Sequence, residues 1–182
     1  MQLLPRFTLS PAIVLLVLGV LAPSLHAANW PSWRGPHGDG TSPERNVPLT
    51  WSATENVRWK IELPEPGDSS PVVWEDKVFI TQAREATGGR TVMCFNRRDG
   101  KLLWSRGDLG RAEFRNNPPV IDGAGRIYVA LEDKLWALAP DGATIWSVGG
   151  GSAFVSSPIL AAGRLYVGTV DGVVTAIGDC PI

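Results

Sequence analysis

The sequence predicts an all-β fold assembled from repeated four-stranded antiparallel units, and three observations carry that prediction. The chain repeats itself internally at the length of one such unit. Its apolar runs are short, alternate with polar residues and are separated by Gly, Pro and Asp-Gly turns. Beyond the N-terminal leader no stretch shows a helical period.

The repeat is visible in three copies. SSPVVWEDKVFITQ (69–82) continues into TVMCFNRRDGKLLWS (91–105). NPPVIDGAGRIYVAL (117–131) continues into KLWALAPDGATIWS (134–147). SSPILAAGRLYVGT (156–169) continues into GVVTAIGD (172–179). Each copy begins with Ser-x-Pro or Asn-x-Pro, then a short apolar strand, a turn and two alternating strands. Two copies add an Asp-Gly turn and a last strand ending in Trp. Asp99-Gly100 precedes Trp104 at the same offset as Asp141-Gly142 precedes Trp146, and Trp59 stands in an equivalent position one repeat earlier. A Trp recurring at this interval suits a propeller blade of about 40–50 residues.

The elements follow in order. Residues 1–27 read as a secretory signal: Arg6 gives a positive start, residues 12–21 an apolar run, and Leu25-His26-Ala27 a cleavage site. The run is shorter than the ~20 residues of a spanning helix, so no transmembrane anchor is expected and the product is exported, periplasmic or secreted. Residues 28–56 form a Trp/Gly/Pro-rich strap. Residues 57–182 hold the repeats, with blades at about 69–106, 117–148 and 156–178. Residues 57–63 add an extra outer strand. Val78-Phe79-Ile80, Ile127-Tyr128-Val129 and Leu165-Tyr166-Val167 are strand formers, and their near-continuous apolar character predicts cover on both faces. Asp-Gly serves hairpin turns because Gly accepts positive φ.

These residues resemble the tryptophan-docking repeat of pyrroloquinoline-quinone-like (PQQ-like) β-propellers. The resemblance rests on Asn96, Asp99-Gly100, Trp104, Asp141-Gly142 and Trp146. It extends to Trp30-Pro31-Ser32-Trp33-Arg34-Gly35-Pro36, Trp59-Lys60 and Gly67-Asp68-Ser69-Ser70-Pro71, the pattern of exported planctomycete-type members. More distant relatives are the propeller lipoprotein of outer-membrane assembly and the quinoprotein alcohol dehydrogenases. The resemblance implies that the repeated Trp docks between adjacent blades, where a large aromatic buries much apolar area. It also implies about eight blades, whereas twelve strands make three. An incomplete or open arc is therefore expected: part of a larger propeller, a unit that self-associates through open blade edges, or a lone arc. In a ring, 57–63 would lie beside 173–178. In one three-bladed chain that pairing should be absent.

Composition narrows the function. The formal net charge is −1 with both signs scattered, which makes nucleic acid a poor partner. WPSWRGPHGDG (30–40) holds His37 and Asp39, but no nucleophile-elbow pattern follows. His37 is the only histidine after the leader, too few for a His-based metal site. The stretch reads as structural, with Trp30 and Trp33 buried, Arg34 bonded to backbone and Gly35 turning the chain. Gly149-Gly150-Gly151-Ser152 and Thr87-Gly88-Gly89-Arg90 match no phosphate-loop pattern and read as interstrand loops. Arg97-Arg98 and Glu132-Asp133 read as solvated turn charges. Cys94 reads as a small buried apolar residue, with a Cys94–Cys180 bridge the alternative. No cofactor, metal or catalytic residue is expected. The function read from the sequence is a non-catalytic exported scaffold that binds a protein or extracellular polymer through its loops. The alternative is a remnant of a PQQ-dependent quinoprotein oxidoreductase.

Overall fold

A computed structural model describes residues 28–65, 69–84, 88–110 and 117–178. The leader, Cys180 and the end of the last repeat lie outside the described residues. The fold is all-β and arranged as three propeller blades that do not close into a ring.

Blade 1 contains β1 (Val72–Trp74), β2 (Lys77–Arg84), β3 (Gly89–Asn96) and β4 (Leu102–Arg106) in sequential antiparallel order. Blade 2 repeats this with β5 (Val120–Ile121), β6 (Ile127–Leu131), β7 (Lys134–Leu138) and β8 (Thr144–Gly149). Blade 3 has three strands, β9 (Ile159–Ala161), β10 (Arg164–Gly168) and β11 (Val174–Ile177). Eleven expected strands are thus in place. The twelfth, at 57–63, is not a strand: the segment belongs to no sheet. No neighbouring strand offers it a ladder, and alternation alone cannot supply one.

The turns follow from local chemistry. Asn96 Oδ1 accepts from the amides of Arg98 and Asp99, and Asp99 Oδ1 from that of Lys101 at 3.0 Å. In blade 2, Asp141 Oδ1 accepts from the Ala143 amide at 3.0 Å. Such Asx bonds favour turns over ladder pairing. The same bulge precedes both turns, between Cys94 and Phe95 and between Ala137 and Leu138. The first Ser of each Ser-Ser-Pro also has a repeated job. Ser69 Oγ accepts from the Thr81 amide at 3.1 Å, and Ser156 Oγ from the Gly168 amide at 2.9 Å.

Strand alternation gives each blade two faces, and the core lies between blades. Val72, Phe79, Val92 and Cys94 of blade 1 meet Ile121, Ile127, Val129, Leu131 and Leu138 of blade 2. The opposite face of blade 2, with Val120, Tyr128, Ala130, Leu135 and Ala137, meets Leu165 and Val167 of blade 3. Leu109 seals the first interface and Phe154 the second. The prediction of cover on both faces holds for blade 2 and fails for blade 3, whose far face carries exposed Ile159 and Val174. No further blade packs there among the described residues.

Candidate binding groove and interblade contacts

The N-terminal strap is bonded to the first strands of two blades. Asn29 Oδ1 accepts from the Glu75 amide at 2.6 Å. Trp30 exchanges backbone bonds with Val73 at 2.8 and 2.9 Å, and Pro31 O accepts from the Ile121 amide at 2.9 Å. Two successive residues therefore stitch β1 to β5. Arg97 reinforces the strap, its Nη1 donating to Glu75 O at 3.3 Å and Ala28 O at 3.5 Å. The reading of Arg97 as merely solvated is corrected accordingly.

Past Pro31 the chain turns. Ser32 Oγ donates to Gly35 O and the Gly35 amide to Ser32 O, both at 3.0 Å. Gly35 has φ of +74°, and a Cβ there would lie 2.7 Å from the Trp30 ring. Only glycine fits both constraints. Trp30 is half-buried as expected, but Trp33 is 61% exposed. Its partner is the Arg34 guanidinium, 4.8 Å above the ring. Two sequence expectations are thus overturned: Trp33 points outward, and Arg34 stacks on it. Tight turning at Ser32–Gly35 leaves the Trp33 ring no blade to pack on.

His37 and Asp39 are exposed. Asp39 Oδ1 accepts from the backbone amide and the hydroxyl of Thr41, both at 2.9 Å, and these bonds hold its carboxyl below the ordinary value. The carboxylate is thus engaged by Thr41. Among the described residues no group of three or more His, Cys, Asp and Glu is placed to hold a metal ion. Of the Gly149–Ser152 stretch read as a loop, Gly149 ends β8, paired with Lys134, and residues 150–152 form the loop before Phe154. A Cβ on Gly150 would meet the Phe154 ring at 2.5 Å.

Between the strap turn and the start of blade 3 runs a groove. Trp33, His37, Arg126, Trp146 and Leu160 are among its walls. On one side Asp122 organises the β5–β6 turn. It accepts from Arg126 Nε at 2.6 Å, the Tyr128 hydroxyl at 3.0 Å and the Ala124 amide at 2.9 Å. Burial pushes the Asp122 carboxyl up, but the bonds from Arg126, Ala124 and Tyr128 together hold it below its ordinary value. On the other side lies the edge of β9. Leu160 pairs with Leu165 as Val73 pairs with Val78 and Ile121 with Ile127. Val73 and Ile121 turn their amides outward to the strap, and Leu160 occupies the equivalent position beside the groove. Among the described residues the strap does not reach it.

Two of the repeated tryptophans, Trp104 on β4 and Trp59 in the segment before blade 1, reach the turn of the blade that follows them. Trp104 lies on Gly142, where a Cβ would be 2.9 Å from its ring, and its Nε1 donates to Pro140 O at 3.1 Å. Trp59 lies on Gly100 in the same way, with Nε1 donating to Arg97 O at 2.9 Å. Arg106 adds a bond to Gly142 O at 2.6 Å, a contact that sequence reasoning missed. Trp104 also meets Phe79 and Trp146 meets Tyr128, each pair with ring centroids 6.0 Å apart. Phe154 was likewise missed. Its signal was a lone aromatic in the polar stretch before Ser156-Ser157-Pro158.

A sequence profile of the family described as outer membrane protein assembly factor BamB matches residues 49–118 and 88–179. The chain belongs to this PQQ-like propeller family. No curated protein matches it. Among solved structures it is similar to the quinohemoprotein alcohol dehydrogenase of Comamonas testosteroni. That match has 16% identity and a TM-score of 0.60, covering 86% of this chain and 26% of that one. It is also similar to BamB from Moraxella catarrhalis, with 20% identity, a TM-score of 0.44, and 57% and 30% covered. A europium-containing methanol dehydrogenase matches at 14% identity and a TM-score of 0.45, with 59% and 20% covered. The chain spans less than a third of the length of each of these structures. The Comamonas likeness, at this identity, shows the propeller fold alone.

Proposed function

We propose that this chain is a non-catalytic, exported binding module that holds an extended segment of a protein partner in the groove between the strap and β9. The observation carrying the proposal is the position of Leu160. In blades 1 and 2 the equivalent residue is capped by strap backbone, and in blade 3 it borders a groove. An extended polypeptide laid there would repeat what Trp30 and Pro31 do at the other two blades, adding backbone bonds to an open strand edge. A family described by its part in assembling outer membrane proteins is in keeping with a polypeptide ligand. The leader read from the sequence supports export. Among the described residues no helix is long and apolar enough to cross a membrane. The role of the repeated Trp as the docking element between blades belongs to the same reading, as rigid support for the groove.

A photo-crosslinking phenylalanine in place of Trp33 tests the site in the cell envelope. The expected result is a discrete protein adduct whose yield falls sharply with Leu160→Pro. That substitution removes the outward N–H at an edge position where proline is tolerated. An adduct unchanged by Leu160→Pro would overturn the edge-binding mode. Dye reduction dependent on alcohol after adding PQQ and calcium would overturn the non-catalytic reading in favour of the oxidoreductase remnant.

A further inference from the structure

The two ends of the described arc are complementary. On blade 2 the face turned toward blade 3 is made by Val120, Tyr128, Ala130, Leu135 and Ala137, and it is buried. Repeat alignment, fixed by the strand pairings, maps these residues onto Ile159, Tyr166, Gly168, Val174 and Ala176 of blade 3. The residues have the same character but not the same environment. Leu135 is 0% exposed and Val174 74%; Val120 is 6% exposed and Ile159 62%. Blade 3 therefore presents the surface that, one repeat earlier, receives another blade. Among the described residues it also leaves the outer edge of β11 without the fourth strand that β4 and β8 supply elsewhere.

The opposite end has the reciprocal surplus. Trp59 sits on Gly100 as Trp104 sits on Gly142, so 57–63 occupies the place of a preceding blade's fourth strand. Among the described residues the other three strands of that blade are absent. At its far end the segment bonds blade 1 again, Gln82 Nε2 donating to Glu65 O. Blade 1's face on this side buries Met93 and Phe95 and leaves Val73, Val78 and Ile80 only partly buried. These less buried residues belong to β1 and β2, where a neighbour's first strands would pack.

We infer that a second copy of this chain fills both deficits. Residues 57–63 of each copy run antiparallel beside β11 of the other, and the far face of blade 3 packs on the open face of the other copy's blade 1. The register follows from the complete blades. Ala137 pairs with Trp146 and Leu135 with Val148, so Trp59 lies opposite Ala176 and Ile61 opposite Val174. Trp136 pairs with Ser147, which sets Lys60 opposite Thr175. The contact is head-to-tail and must close to avoid a filament. Two copies give six blades, within the 4–8 range of propellers, whereas three would exceed it. Closure also removes the open edges that otherwise invite uncontrolled association.

Sedimentation of the purified chain over a range of concentrations, with oxidative crosslinking, tests the inference. We expect a reversible dimer that Val174→Asp weakens by at least about tenfold, since the contact would bury an unpaired charge. Val174 is exposed within one chain, so an unchanged β-sheet spectrum checks that the variant still folds. In a Cys180→Ser background, Lys60→Cys with Thr175→Cys should give a disulfide-linked dimer, and Lys60→Cys with Ser147→Cys should not. A monomer at every concentration overturns the inference. So does a dimer indifferent to Val174→Asp that lacks the 60–175 crosslink, and so does stable pairing only with blades of a different chain.

Discussion

The contact between Trp104 and Gly142 can be separated from the backbone demand at the same glycine. Gly142 has φ of +87°, and a Cβ would lie 2.9 Å from Trp104 Cδ2 and 3.0 Å from Cε3. The indole cannot easily retreat, because its Nε1 is held by Pro140 O at 3.1 Å. Gly172 supplies the control. Its φ is +85°, and a Cβ there would meet nothing within 4 Å. Gly172→Ala should therefore cost only the left-handed backbone term, about 1–2 kcal/mol. Gly142→Ala should cost that plus an overpacking term of about 1–3 kcal/mol, or roughly 2–5 kcal/mol in all. The denaturant midpoints of both variants and wild type measure the difference. The double mutant is the sharper test. Trp104→Ala removes the ring, so Gly142→Ala in that background should fall back to the cost of Gly172→Ala. The coupling energy should then be about 1–3 kcal/mol. Equal costs for the two glycines, or strict additivity with Trp104→Ala, would refute the claim that the ring is seated on this glycine.

Three further outcomes are expected. Trp136→Phe should destabilise less than Trp104→Phe, by about 1 kcal/mol, in parallel urea titrations. Among the described residues the buried Trp136 Nε1 has no hydrogen-bond partner, whereas Trp104 loses the bond to Pro140 O. Asp122 is held below the ordinary carboxylate value of 3.8, so its contribution is complete above that value and is lost as pH falls through the lower folded one. Asp122→Asn should accordingly flatten the decline of melting temperature with acidification, and an unchanged acid limb would count against the turn's role. Burial pushes the Cys94 thiol up to about 12, with Lys77 partly opposing. In a Cys180→Ser background the folded chain should resist thiol reagents near neutral pH and react at the rate of unfolding. Mass spectrometry of quenched time points gives that rate.

What was legible in the sequence was local. Three blades, eleven of twelve strands and the Trp-to-Gly spacing follow from alternation and from turns that Asn96, Asp99 and Asp141 build with their own side chains. These interactions span a few residues, so a short stretch carries the whole cause. The strap was legible as structural, but its path was not. Trp30 and Trp33 are the same residue type three positions apart, and only the turn at Gly35 decides that one packs and the other faces outward. Residues 57–63 alternate like a strand and are not one, because a strand requires a partner elsewhere in the chain. Leu135 and Val174 make the same point most sharply. They occupy equivalent positions in equivalent strands, and the repeat pattern treats them alike. One is fully buried and the other exposed, because burial is a property of the neighbour as much as of the residue, and only tertiary structure places the neighbour.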